Sequence, residues 1–362
     1  MNDYFEIDFL EINAKRSGDA IAARYEIDGE IYIHVVDGGY QDTGEKLASH
    51  IRQYYGNPSY IDHVVVTHPD GDHAGGLRTI LEEFEVGQLW MLCPWYYVDE
   101  LIGDFSRFTS VENLGTRLRE IYPNLNALEE IAIRRGIAIS EPFQGDQIGA
   151  FTVLAPSKDR YLQLVLESEK TPESVAKAEE DRILARGEAL VKRAIALFRA
   201  AWGQEVFSPE ETSAENNMSV VQYASLCGRK ILLTGDAGRD ALSEAADFAP
   251  NLGLSLPGID RFQVPHHGSR RNVSSEVLDR WLGPKLIEKP NAGQETFSAF
   301  ISASQEDKDH PRKVVVRALI HRGAKVVSTG DRNGTKRTSQ NAPDRDGWSS
   351  ATLLDYPEDM EE

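Results

Sequence analysis

The run His68-Pro69-Asp70-Gly71-Asp72-His73 puts two histidines and two aspartates within six positions of a 362-residue chain that has nine histidines in all. Imidazole nitrogens and carboxylate oxygens are ligands for divalent cations. His68 and Asp70, two apart, point the same way if the backbone stays extended. Asp72 and His73 reach a second point once the chain turns at Gly71. Such a set suits two cations roughly 3.5–4 Å apart, the spacing of two-metal hydrolytic sites. Asp-Gly is also a common turn dipeptide, but a solvated turn does not call for two histidines and two aspartates so close together.

The elements around the run would hold it rigidly. Residues 61–66 (Ile-Asp-His-Val-Val-Val) read as a short buried strand that stops where the run begins, and Gly75-Gly76 opens a helical stretch to Phe84. Upstream, residues 5–12 read as a strand, and the runs 20–25 and 31–36 form a hairpin about Asp28-Gly29. A helical period follows at Leu47, Ile51, Tyr54 and Tyr55, and Leu89 to Leu92 is a further strand. From Pro94 the pattern changes to helical pieces near 96–108 and 111–122, a brief strand at 151–154, and a helical composition from Lys158 to Trp202, broken near Thr171-Pro172. Strand character resumes at 219–226 and 230–233 and alternates with helices to Ser328. These shifts divide the chain into an N-terminal half at 1–93, a mainly helical insertion at 94–215, a C-terminal half at 216–330 and an acidic polar tail at 331–362, expected to be loosely ordered. The class is a layered α/β protein.

Three later segments carry chemistry. Asp236 ends the apolar run Ile231-Leu232-Leu233 through Thr234-Gly235, so its carboxylate sits at a strand end, where one carboxylate can bridge two cations. His266 and His267 follow the strand-like Phe262–Pro265. Adjacent side chains on an extended segment face opposite ways, so one is expected to bind metal and the other to contact substrate or hydrogen-bond behind the ligands. Gly268-Ser269-Arg270-Arg271 offers donors suited to phosphate oxygens. His310 precedes Pro311 and a helix at 313–322. His34, His50, His63 and His321 lack such context and read as structural.

Composition narrows the class. With 58 acidic against 39 basic residues the formal charge is −19, which argues against a general basic surface for nucleic acid. Bound cations could still invert the field locally for a phosphodiester. Candidate local basic pairs are Arg134-Arg135, Lys192-Arg193, Arg270-Arg271 and Lys336-Arg337. Two cysteines, Cys93 and Cys227, make no disulfide framework. No apolar run approaches the ~18 residues of a membrane span, and no leader pattern opens the chain, so a cytoplasmic, membrane-free protein is expected.

The run His68–His73 resembles the H-x-[H/D]-x-D-H signature of the metallo-β-lactamase superfamily, in the variant with aspartate at its third position. Leu232-Leu233-Thr234-Gly235-Asp236 resembles the strand ending in the metal-bridging aspartate, and Val264-Pro265-His266-His267-Gly268-Ser269 the late histidine motif. Asn216-Asn217-Met218-Ser219 stands where many members carry a further histidine. With Ser17-Gly18-Asp19-Ala20, Asp37-Gly38-Gly39 and His310-Pro311, the pattern is most similar to the ComEC-like branch, the DNA-uptake type, and to its free-standing members. It covers roughly residues 5–92 and 216–330.

The resemblance implies a four-layer αββα metallo-β-lactamase sandwich with an inserted helical region. It implies two divalent ions, zinc or manganese, on His68, Asp70, Asp72, His73, Asp236 and His266, with His267, Ser269, Arg270 and Arg271 toward substrate. The extra aspartate hardens the donor set and tilts it toward manganese. The expected function is a metallo-hydrolase, a phosphodiesterase or nuclease using metal-activated hydroxide on a phosphodiester or nucleotide-type substrate. Asp72 would orient the nucleophile, with Asn216, His310 or Arg270 neutralising charge in the transition state. The competing expectation is a partner-binding or regulatory module, docking protein through the helical insertion, with a degenerate or structural metal site.

Overall fold

A computed structural model describes residues 3–12, 14–171 and 201–359. Alternating and apolar runs condense into fourteen strands among these residues: β1 (Tyr4–Phe9), β2 (Ala20–Ile27), β3 (Glu30–Gly38), β4 (Tyr60–Val65), β5 (Glu85–Trp90), β6 (Ala138–Ser140), β7 (Gln147–Ile148), β8 (Phe151–Ala155), β9 (Val221–Leu226), β10 (Arg229–Leu233), β11 (Arg261–Gln263), β12 (Phe297–Ile301), β13 (Ala324–Ser328) and β14 (Lys336–Gln340). They form two seven-stranded sheets, β14-β1-β2-β3-β4-β5-β6 and β13-β12-β11-β10-β9-β8-β7.

Both sheets have one plan. From β14 to β3, and from β7 to β10, neighbours run antiparallel; beyond them, to β6 and to β13, they run parallel. The β2–β3 hairpin turns on Asp28 and Gly29, both at positive φ (53° and 86°), as a two-residue primed turn requires. The sheets pack face to face, with Phe9 stacked on Phe300 at 4.8 Å between ring centroids. Helices Thr43–Tyr54, Leu77–Glu83 and Pro123–Arg135 lie on the first sheet's side, and Arg239–Phe248, Ser275–Leu282 and Lys313–His321 on the second's. The chain therefore forms the expected α/β sandwich, two mixed sheets between helical layers.

Two readings from the sequence need correction. Residues 94–215 supply β6 to one sheet and β7 and β8 to the other, so this stretch builds both sheets besides carrying the helices Val111–Ile121, Pro123–Arg135 and Lys158–Glu167. Of these strands only β8 is marked by its apolar run; β6 and β7 are too short to show a period of two. The rest of the long helical expectation, and Lys192-Arg193, lie outside the described residues. The tail is also ordered where it meets the sheet: β14 pairs with β1 from Phe5↔Gln340 to Phe9↔Lys336. Glu6 and Asp8 on β1 are fully buried, and Arg24, Arg337 and Arg345 close on them as ion pairs. A charged strand and a polar tail each look solvated alone; together they neutralise one another.

Among the described residues no helix is long and apolar enough to cross a membrane. His50 pairs with Asp8 at 3.0 Å and His321 with Glu205 at 2.7 Å. His34 and His63 lie edge to face against each other.

Candidate metal centre

The site lies where the parallel strands of both sheets end, the location at which open α/β sheets gather functional loops. Asp37 is the penultimate residue of β3. Thr67 to His73 follow β4, Thr234 to Asp236 follow β10, Pro265 to Gly268 follow β11, and Asp307 to His310 follow β12. The Ser17–Asp19 loop closes the floor, with Asp19 N–H donating to the Asp72 carbonyl at 3.1 Å. A Cβ on Gly18 would lie 2.6 Å from that oxygen, so only glycine permits this approach.

Asp236 is the hub. Its Oδ2 faces His68 Nε2 at 3.8 Å and His266 Nε2 at 3.7 Å. Its Oδ1 faces His73 Nε2 at 3.2 Å and His267 Nε2 at 3.9 Å. Asp70 Oδ2 lies 3.9 Å from His68 Nε2, while its Oδ1 accepts from Lys170 Nζ at 2.5 Å. Asp72 Oδ2 lies 3.8 Å from His267 Nε2, and Asp19 Oδ2 3.8 Å from His267 Nδ1. One donor atom from each of Asp19, His73, Asp236 and His267 falls within 4.8 Å of the others, and all four residues are buried.

The ring nitrogens are set by what lies behind them. His73 Nδ1 meets Asp37 Oδ2 at 2.7 Å. Thr67 donates to Asp37 through both N–H (2.8 Å) and hydroxyl (2.6 Å). Having spent its proton there, the Thr67 oxygen is left to accept from His68 Nδ1 at 3.0 Å. The Asn272 amide donates to the Asp236 carbonyl at 2.7 Å, so its Oδ1, 2.9 Å from His266 Nδ1, accepts from that ring. Three histidines are thus protonated at Nδ1 and turn a bare Nε2 inward, the second-layer arrangement that orients metal ligands.

Those inward atoms fit cations. Asp19 Oδ1 and Oδ2, His68 Nε2, His73 Nε2, Asp236 Oδ1 and both His267 nitrogens are buried without a hydrogen-bond partner, which is costly unless something else meets them. The electrostatics agree. Burial opposes charge on Asp236, yet His73, His266 and His267 hold its carboxyl well below the usual range. Burial likewise opposes charge on His267, but Asp236, Asp72 and Asp19 push it up to about 9. On His73 the same opposition is overcome by Asp236 and Asp37. Burial, with the charge on His73, pushes His68 down. The carboxylates thus favour positive charge at this point, which bound cations would supply in place of ring protons.

The late histidine pair departs from the extended backbone expected of it. His266 (φ 47°, ψ 51°) and His267 (φ 56°, ψ 19°) are both left-handed, followed by Gly268 at φ 86°. Left-handed non-glycine residues cost roughly 1–2 kcal/mol each. The turn brings both rings to Asp236, where an extended segment would have sent one away. His267 is the more enclosed, with 3% of its side chain exposed against 29% for His266.

The other expected residues divide. His310 reaches the site, its ring stacked 5.7 Å from that of His266 and its Nδ1 3.2 Å from Asp307 Oδ2. Asn216 donates to Thr212 Oγ1 at 2.7 Å and lies 3.0 Å from His266 Nδ1, on the side of the ring away from Asp236. Ser269 is buried in the turn, where its hydroxyl accepts from Arg271 N–H. The Arg271 guanidinium leaves the cluster to pair with exposed Glu210, and Arg270 is half-buried beside it. Asp19 was missed as a metal-facing residue; its signal was Ser17-Gly18-Asp19, a tight turn with a carboxylate.

With this geometry, residues 25–97 match the family model of the metallo-beta-lactamase superfamily. Within it the chain is ComEC-like: over 133 residues it is 30% identical to ComE operon protein 3 of Bacillus subtilis (strain 168). That match takes in 36% of this chain and 15% of the relative, so the chain spans a small part of that protein's length. Among solved structures, a metallo-beta-lactamase-type protein of Thermotoga maritima is similar over 64% of this chain and 79% of its own, at 11% identity and a TM-score of 0.31. A CmlA β-hydroxylase variant is similar over 91% of this chain and 53% of its own, at 12% identity and a TM-score of 0.39.

Proposed function

We propose that the chain is a metal-dependent phosphodiesterase, acting on nucleic acid or a nucleotide-type ester at a centre where the residues gathered around Asp236 would hold two divalent ions. The observation that carries this reading is the division of the inward atoms between the two Asp236 oxygens. His68 and His266 face Oδ2 with Asp70 beside His68, and His73 and His267 face Oδ1 with Asp19 and Asp72 beside them. On this reading His267 would hold metal together with His266, rather than in its place. Divalent ions so held supply an activated water and neutralise charge at phosphorus. The carboxylate-rich set favours manganese while accommodating zinc.

The chain's own groups do the rest. Asp72 is positioned to orient the nucleophile, His310 lies beside His266 to meet charge on the substrate, and Asn216, held by Thr212, flanks the His266 ring. The acidic surface favours short or single-stranded substrates over long duplexes. Arg134 pairs with Glu82, Arg271 with Glu210, Lys336 with Asp331 and Arg337 with Glu6, so these basic groups are already neutralised. Two free thiols, one buried, fit a reducing compartment, and we place the protein in the cytoplasm.

Turnover of bis(p-nitrophenyl) phosphate with added manganese or zinc tests the reading. Activity is expected, falling by ~10³-fold or more in Asp72→Ala, and a panel of single-stranded DNA, RNA and cyclic nucleotides would then locate the substrate. Full activity in Asp72→Ala, or a folded, metal-loaded protein inert on every phosphodiester, would sink it.

A further inference from the structure

One cation reaches the centre from outside all the motifs. Lys170 follows the helix Lys158–Glu167, and its ammonium reaches across to Asp70 Oδ1 at 2.5 Å. It lies in the stretch that resembles no part of the family pattern. Its side chain is 46% exposed, and an ion pair so placed adds little to stability.

The turn that carries Lys170 is built with unusual care. The Ser168 hydroxyl accepts from Lys170 N–H at 3.1 Å, Thr171 N–H at 3.3 Å and Tyr122 O–H at 3.2 Å, and donates to Glu215. Thr171 Oγ1 lies 2.8 Å from the Val165 carbonyl and 2.9 Å from that of Ser168, a shared donation. Ser168, Thr171, Tyr122 and Glu215 are all buried, and Glu215 adjoins Asn216. A buried polar network is costly unless satisfied and, once satisfied, fixes one geometry. Here it fixes the backbone of an exposed lysine at the mouth of the centre.

We propose that Lys170 is a substrate-contacting residue whose ammonium grips a non-bridging oxygen of the substrate's phosphate. This rests on the phosphodiesterase reading above. Asp70 Oδ2 faces His68, toward the place of an ion, while Oδ1 faces outward to the lysine. If Asp70 held a cation through Oδ2, its hold on the ammonium through Oδ1 would weaken, and the lysine's donors would be open to an incoming anion. A lysine serves phosphate as a point charge with three rotatable donors on a flexible stem.

The test compares metal-loaded wild type with Lys170→Gln and Lys170→Arg by kinetics on bis(p-nitrophenyl) phosphate, calorimetric binding of inorganic phosphate, and metal content. In Lys170→Gln, KM and the phosphate dissociation constant should each rise by ~10-fold, the loss of one charge-assisted contact, with kcat within about threefold and metal content unchanged. Lys170→Arg should recover most of the loss. Unchanged KM and phosphate affinity would overturn the proposal, as would a loss of metal with phosphate affinity intact, since Lys170 would then only support Asp70. If wild type hydrolyses no phosphodiester but phosphate binding still weakens tenfold in Lys170→Gln, the anion contact stands and the phosphodiesterase reading fails.

Discussion

Asp37 offers no atom to the centre, yet it decides what His73 and His68 can do there. It takes the His73 Nδ1 proton directly and reaches His68 through Thr67. It sits at φ 57°, a conformation that aspartate and asparagine tolerate better than most residues. Asp37→Asn should therefore keep the backbone while removing the carboxylate that orients the ring. Metal affinity is expected to fall ~10–100-fold, read by competition with a chromogenic chelator; an unchanged affinity would mean that His73 is placed by packing alone.

The turn after β11 and the edge strand β14 show how much an element can hide. Gly268 holds φ 86°, and a Cβ there would lie 2.8 Å from that of Pro311. Gly268→Ala should displace the His266-His267 turn and lower metal content in a protein that still folds; normal metal content would show that the turn is not needed. At the far edge, Arg345 joins Asp8 and Glu6 with 7% of its side chain exposed. Arg345→Ala removes one of several partners of Glu6 and Asp8, which keep Arg24, Arg337 and His50, and is expected to cost ~1–3 kcal/mol, measured by denaturant unfolding of metal-free protein. A loss below 1 kcal/mol on that scale would show that water reaches Glu6 and Asp8.

These elements also mark what the sequence could tell. The hairpin at Asp28-Gly29, the strand before the His68 run and the one before Asp236 are legible because pattern and turn chemistry are local. His68, Asp70, Asp72, His73 and Asp236 were legible for the same reason, each standing in a dense motif or at a strand end. Asp19 was not, because a lone aspartate becomes metal-facing only when Gly18 lets its loop touch Asp72. The placement of His267 was hidden by two left-handed residues that no periodicity announces. Strand β14 stayed hidden because its partners, Glu6 and Asp8, lie more than 300 positions away, and the buried charges on each side read separately as solvated.

The whole molecule is two matched sheets joined along one core, and stability and function meet in how that core treats charge. His34 lies fully buried between the sheets, 3.1 Å from Gln222 Oε1. Burial, with His63 beside it, pushes its pKa down to about 3 from 6.5. Above pH 6.5 the ring is neutral whether the chain is folded or not; below it, the unfolded chain takes a proton that the folded one refuses until about pH 3. Stability contributed by the neutral ring is thus present above pH 6.5 and lost as pH falls toward 3, by ~1.4 kcal/mol per pH unit. Unfolding of metal-free His34→Gln between these limits should show a correspondingly shallower pH slope; an identical slope would place the acid sensitivity elsewhere.

The proposed function requires two ions, with Asp236 among the residues that would hold both. Metal content per chain after loading with manganese or zinc and removal of excess tests it most directly, by elemental analysis of wild type and Asp236→Ala. Two ions per chain are expected in the wild type and at most one in the variant. A single ion in the wild type, or two retained without Asp236, would contradict the account.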